Sequence, residues 1–186
     1  LSWFPKRFGP GDVHGAGALK LLGNPNVPLP TLLLRETAQN SWDARLCGSV
    51  PSYGMHLRGV TRDQRELLRR KVFVEGAHRL GLADSLAKKN LKVIEIHDRG
   101  TCGLDGPTRN DQPVPAGEST NFIDLVLNVG VPPTDTTGGG TYGFGKMAAY
   151  MATYSGAVIF WTRVKTATGM ETRFIASGVG DSFDMS

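Results

Sequence analysis

The 186 residues carry 21 basic and 17 acidic side chains, a formal net charge of +4, with 40% hydrophobic residues, 24 glycines and 11 prolines. That length suits one domain with a real core, and the glycine and proline content exceeds the average without reaching low-complexity composition. No apolar run approaches the ~18 residues of a membrane-spanning helix, and no apolar segment follows Lys6 and Arg7, so neither a span nor a secretory leader is expected.

Cys47 and Cys102 are too few for a disulfide framework and lack CxxC spacing, while His14, His56, His78 and His97 are too scattered to predict a metal site. A reducing cytoplasm is the expected compartment. The mild positive charge permits nucleic acid as a partner without demanding it. The opening Leu1, where Met would be usual, suggests trimming.

In chain order, residues 1–30 are rich in glycine and proline and read as irregular. Thr31 is placed to cap a first helix whose apolar positions Leu33, Leu34, Ala38, Trp42 and Leu46 recur at helical spacing, with Gly48 placed to end it. Thr61 and Gln64 form a capping box for a second helix predicted through Leu80, and a third is expected over 83–89. Leu91 to His97 reads as a strand with Ile94 and Ile96 on one face, which Asp98 continues because side chains alternate. A Gly/Pro loop to Pro115 leads to a helix over 121–129, stopped by Gly130. A helix over 146–154 and a hairpin of 157–164 with 170–177, turning around Gly169, complete a mixed α/β pattern with at least one antiparallel pair. Trp3, Trp42 and Trp161 read as core or packing residues.

Three clusters carry chemistry. The first is Glu36, Asn40 and Asp43, which helical offsets of four and seven stack on one face. A carboxylate and an amide one turn apart can serve a water and a hard cation together, because Mg²⁺ prefers oxygen ligands and keeps most of its waters. The same pattern also describes an ordinary solvated helix face. The second is Asp98-Arg-Gly100-Thr-Cys-Gly103-Leu104 at a strand end, where a carboxylate can accept N–H donors and glycines permit a flat ligand to approach, or where the chain simply turns.

The third is Gly138-Gly-Gly140-Thr-Tyr142-Gly143-Phe144-Gly145-Lys146, running into a helix. Convergent backbone N–H groups and a helix N-terminus suit an anion such as phosphate, against the alternative of a flexible linker. Gly140 to Lys146 fits GxxxxGK, but Met147 stands where that motif needs Ser or Thr and no strand precedes it, so a P-loop is excluded.

Taken together and in order, the clusters resemble the GHKL ATPase superfamily of DNA gyrase, the ninety-kilodalton heat-shock chaperones, histidine kinases, MutL and MORC proteins. Glu36, Asn40 and Asp43-Ala44 resemble its N-box (ExxxNxxDA), Asp98 to Gly103 its DxGxG box and Gly140 to Gly145 its GxxGxG lid. The resemblance implies a single Bergerat-fold domain, a two-layer sandwich of a mixed, largely antiparallel sheet covered on one face by helices, with a helical insert over 61–90 and a lid over 131–145.

It further implies an ATP and Mg²⁺ site. Glu36 would be the general base and Asn40 the Mg²⁺ ligand. Asp98 would accept the adenine amino group, with Gly100 and Gly103 allowing approach, Leu104 against the base and Asp43 nearby. Gly140, Tyr142, Gly143, Phe144 and Gly145 would wrap the phosphates, with Lys146 adding charge. Two departures stand out: the second box is one residue longer than usual, and no downstream threonine assisting the adenine-binding aspartate is identifiable before Ser186. The chain is therefore expected to stop short of the complete nucleotide fold.

The N-box glutamate and the absence of a phosphoacceptor-histidine helix favour hydrolysis over phosphotransfer. The expected function is slow Mg²⁺-dependent ATP hydrolysis that drives lid closure and dimerisation in a larger cytoplasmic protein, or a nuclear one in the MORC branch. A nucleotide-holding module without turnover is the alternative. A third expectation, DNA contact, rests on Arg58, Arg62, Arg65, Arg69, Arg70 and Lys71, of which Arg62, Arg65 and Arg69 share a helix face, with Asp63 and Glu66 interleaved as on an ordinary solvated face.

Overall fold

The computed structural model describes residues 4–5, 27–75, 77–128 and 144–180. Among these the chain is mixed α/β, with two small antiparallel sheets and helices packed against them. Helix α1 spans Leu29–Asp43 and strand β1 spans Ser52–Gly59; α2 spans Arg62–Leu67, α3 spans Leu82–Ala87 and β2 spans Lys92–Arg99. Helix α4 (Phe144–Met151) and strands β3 (Ala157–Thr166) and β4 (Gly169–Gly178) follow. None of the described helices is long and apolar enough to cross a membrane.

The start of α1 differs from expectation. Pro28 occupies the N-cap position, its carbonyl accepts from Leu32 N at 3.0 Å, and Thr31 lies inside the first turn with no capping bond. Pro30 sits near the helix start, where its missing N–H would have had no partner anyway. The end also comes early, at Asp43 and not Gly48. Beyond it the backbone is claimed by another segment: Leu46 N donates to Gly100 O at 3.0 Å, Cys102 N to Ala44 O at 2.9 Å, and Arg45 forms a β-bridge with Thr101. A sheet-like partner across the gap has outcompeted further helical turns.

Strand β1, absent from the sequence reading, pairs antiparallel with β2 from Ser52 opposite Arg99 to Gly59 opposite Lys92. The segment between them holds the predicted capping box, with Gln64 N donating to Thr61 Oγ1 at 3.2 Å and Thr61 N to Gln64 Oε1 at 3.1 Å. That helix does not reach Leu80. Its last turn widens over Leu68–Val72 into a π turn closed by Phe73 N to Leu68 O, and a separate 3₁₀ turn covers Ala77–Leu80. The helix predicted over 121–129 is likewise mostly a π turn, Ile123–Leu127.

Strands β3 and β4 form the predicted hairpin, registered from Ala157 opposite Gly178 to Thr166 opposite Gly169. The two sheets are separate ladders among the described residues, not one continuous sheet. Leu32 and Leu33 of α1 and Ala148 of α4 form the core over β1–β2, where Met55, Ile96, Ala149 and Ala152 pack against them. Tyr150, Met147 and Val164 are the largest fully buried side chains. Burial pushes the Tyr150 hydroxyl pKa upward, and Ser177 partly offsets it.

Two tryptophans are not core residues: Trp42 is 51% and Trp161 64% exposed, while Trp3 lies outside the described residues. The Arg45 guanidinium lies over the ring of Trp42, 4.5 Å from its centroid, a cation–π contact for an aromatic on a helix surface. Leu34, also expected to face the core, is 47% exposed because Leu32 and Leu33 take that side of the helix.

Candidate functional site

Helix α1 is fastened to the end of the β1–β2 sheet by two hydroxyls one turn apart. Thr37 Oγ1 lies 2.7 Å from the Tyr53 hydroxyl, and Ser41 Oγ donates to Asp98 Oδ2 at 2.7 Å. Tyr53 and Asp98 are register partners on adjacent strands, so the helical four-residue repeat matches a cross-strand pair. Residues 33, 37 and 41 therefore face the sheet, and Glu36, Asn40 and Asp43 lie on the stripe about 100° round.

That stripe runs from the interior to solvent. Glu36 is buried at 4% exposure, whereas Asn40 and Asp43 are exposed, so the face is not uniformly solvated. The Glu36 carboxylate is held by its neighbour Arg35, whose Nε (3.0 Å) and Nη2 (2.5 Å) both meet Oε1. Arg35 is itself half-exposed. The pair therefore spans the boundary between protein and water, and Oε2 takes no part in it.

Asp98 is the penultimate residue of β2, with both carboxylate oxygens oriented by hydroxyls, Oδ2 by Ser41 and Oδ1 by Thr101 at 2.7 Å. A carboxylate has about four acceptor sites, so two remain for donors arriving from outside, and the residue is exposed. Ser41 is 5% exposed, which fixes this orientation from the buried side.

The loop after Asp98 is a junction as well as a candidate site. Gly100 and Gly103 both have positive φ, +78° and +71°. A Cβ on Gly103 would stand 2.6 Å from Thr162 Oγ1 and 3.1 Å from Arg163 O. The close approach that Gly103 permits is thus that of β3. Leu104 N donates to Thr162 Oγ1 at 3.1 Å, and Arg173 Nη1 donates to Leu104 O and Gly106 O, both at 2.8 Å. Gly103→Ala is expected to cost about 1–3 kcal/mol, from overpacking against backbone and a disfavoured φ together. Urea unfolding of parent and variant measures it, and equal midpoints would contradict this packing.

Cys102 is half-buried and in contact with polar groups: Asn121 Nδ2 lies 3.3 Å from its sulfur. Burial first and the nearby Asp105 second push its thiol pKa upward, which disfavours the reactive thiolate. Asn121 also donates to Asp105 Oδ1 at 2.7 Å, so a polar network ties the loop to the π turn.

Of the glycine-rich segment, Gly140, Tyr142 and Gly143 lie outside the described residues, as does the rest of 131–143. Phe144, Gly145 and Lys146 form the first turn of α4. This helix packs on α1 through Ala148 against Leu32 and Leu33. The structure thus brings together the helix carrying Glu36 and Asn40, the strand carrying Asp98 near its end, and the helix that the glycine motif enters.

Among the described residues no three His, Cys, Asp or Glu side chains gather as a metal group. Asn40 is an exposed amide without a side-chain hydrogen bond among the described residues. The basic face expected to meet DNA is largely engaged: Arg69 and Arg70 pair with Glu66, each at 3.1 Å, and Arg65 Nη1 donates to Lys88 O at 2.8 Å. No family model, curated protein or solved structure matches the chain.

Ser41, Thr101, Thr37, Tyr53 and Thr162, which set the site's geometry, were not singled out in the sequence. The alternation of Tyr53, Met55 and Leu57 was a usable signal for β1, and with β1 placed, a partner for Thr37 was within reach. The serine and threonine roles depend on contacts up to 58 residues apart along the chain and leave no local pattern.

Proposed function

We propose that the chain is a GHKL-type nucleotide-binding domain, built as a two-layer Bergerat sandwich, that takes ATP with Mg²⁺ and hydrolyses it slowly. The observation that carries this reading is the Ser41 to Asp98 hydrogen bond, which sets an oriented, exposed carboxylate beside the helix bearing Glu36 and Asn40. In this reading Asp98 accepts the adenine amino group on the acceptor sites that Ser41 and Thr101 leave open. Asn40 holds Mg²⁺, which supplies charge neutralisation for the phosphates.

Glu36 polarises the attacking water. Its burial excludes competing solvent and strengthens that polarisation. The glycine motif over 140–145 meets the phosphates with backbone N–H groups, and its closure promotes pairing of two such domains. Differential contact with the γ-phosphate drives the change.

Calorimetric titration of the 186-residue chain with a non-hydrolysable ATP analogue and Mg²⁺ tests the reading. Binding of one nucleotide per chain, weakened when Mg²⁺ is omitted, is expected, and a mass measurement should show a nucleotide-dependent dimer. Absence of any heat with the analogue overturns the reading.

A second reading, a module that holds nucleotide without turnover, draws on one observation. Arg35 Nε and Nη2 both donate to Glu36 Oε1, which withholds that oxygen from a water. Steady phosphate release decides between the two.

A further inference from the structure

The outer face of the β3–β4 hairpin has a composition that neither the fold nor the ATP reading uses. By register, Ile159 stands opposite Ala176, Trp161 opposite Phe174, Arg163 opposite Thr172 and Lys165 opposite Met170. Alternation puts all eight on one side, while Thr162 and Val164 point into the protein at 8% and 1% exposure. Trp161 is 64% and Phe174 44% exposed, and Met170 and Ile159 are also open.

Arg163 and Lys165 are exposed and form no ion pair among the described residues, and no carboxylate shares the face. The nearest acid in the strand pair, Glu171, is on the opposite side and bound to Arg173 at 2.7 Å. Two exposed aromatics at one cross-strand register position therefore stand on the same face as two exposed cations that form no ion pair among the described residues.

We propose that this face binds single-stranded nucleic acid, with bases stacked on Trp161 and Phe174 and phosphates met by Arg163 and Lys165. Every base has a π face, so an exposed aromatic pair is a sequence-tolerant stacking platform, and cations alongside track the backbone. The two cations are separated by two residues of a strand, about 6.6 Å, so each can meet a different phosphate. A duplex fits less well, because its bases are already stacked on each other and the hairpin face presents nothing that enters a groove. Self-association fits less well too, because the identical face of a second copy offers Arg163 and Lys165 no carboxylate.

The test is a fluorescence-anisotropy titration of a labelled oligothymidylate of about 16 nucleotides with the 186-residue chain, without ATP, so that its failure leaves the nucleotide reading untouched. Saturable binding is expected, with quenching of tryptophan emission. Trp161→Ala should weaken it about 5- to 100-fold. Reversing both charges, Arg163→Glu with Lys165→Glu, should reduce the slope of log affinity against log salt by about 1.4.

Parent-like binding in both variants overturns the proposal, as does equal affinity for a duplex of the same length that survives Trp161→Ala. Equally effective displacement by polyglutamate would show that charge alone is recognised and also overturns it. A dimer in sedimentation that Trp161→Ala converts to monomer would assign the face to a second copy instead. Should Trp161→Ala fail to fold, the charge-reversal variant still decides, since it alters only exposed side chains.

Discussion

Replacing Glu36 by alanine is expected to lower the rate of ATP hydrolysis by about 10²- to 10⁴-fold while leaving nucleotide affinity where it was. The size follows from what a positioned general base contributes, and the selectivity follows from where Glu36 sits. It is buried, one turn from the exposed Asn40, and makes its ion pair with Arg35 and not with a group assigned to adenine or phosphate. Removing it takes away water polarisation and no contact assigned to the bound nucleotide.

The variant should also fold. Loss of one partner of a buried ion pair is damaging when it strands the other charge in the interior, but here the survivor, Arg35, is half-exposed and rehydrates. The reverse change, Arg35→Ala, strands the buried carboxylate and should lower the unfolding midpoint more than Glu36→Ala does. Single-turnover phosphate release, with affinity measured in parallel, makes the distinction. Hydrolysis undiminished in Glu36→Ala would remove Glu36 from the chemistry, and a matched loss of affinity would make it a binding group.

The parts of the fold legible in the sequence are those whose signal is local. Helix α1, the capping box at Thr61 and Gln64, strand β2 and the hairpin turning at Gly169 each depend on a few neighbouring residues, and each is present, although Leu34, Trp42 and Ile94, expected on apolar faces, are exposed. Boundaries set by distant partners were not legible. Helix α1 stops at Asp43 because the 100–102 segment takes the following backbone groups, and nothing near Gly48 signals that competition.

Helix α2 shows a different limit. The apolar spacing of Leu67, Leu68, Val72 and Phe73 is compatible with a continuous helix, yet a widened turn closes at Phe73 and ends it. Spacing reports which face is apolar and not whether each turn closes at four residues or five.

The candidate site divides the same way. Glu36, Asn40 and Asp43 share a face by helical arithmetic, and that arithmetic holds. What it does not supply is the difference among the three, since Glu36 is buried and the other two are not. Gly103 teaches the converse. A glycine after a strand-end aspartate suggests room for a ligand, and the room is taken by Thr162 and the backbone of β3. Sequence identifies where a side chain is missing, and only tertiary structure identifies what approaches.

The sharpest chemical consequence belongs to Asp98. Changing it to asparagine is expected to weaken ATP binding by roughly 10- to 150-fold, the range for losing a hydrogen bond to a charged acceptor. The parent carboxylate is an acceptor only, with one oxygen fixed by Ser41 and the other by Thr101. An amide at this position brings a donor toward the adenine amino group, itself a donor, and one of the two is left without a partner.

The same substitution should treat inosine triphosphate differently, because its ring carries an oxygen where adenine carries the amino group. The asparagine amide can donate to that oxygen, so Asp98→Asn is expected to narrow or invert the preference for ATP that the parent shows. Ser41→Ala supplies a graded comparison. It leaves the carboxylate intact but removes the 2.7 Å bond that orients it from the buried side, so affinity should fall less and the preference for adenine should persist. Competition titrations of both nucleotides against the three proteins read this out, and equal ATP affinity in Asp98→Asn and the parent would place the adenine elsewhere.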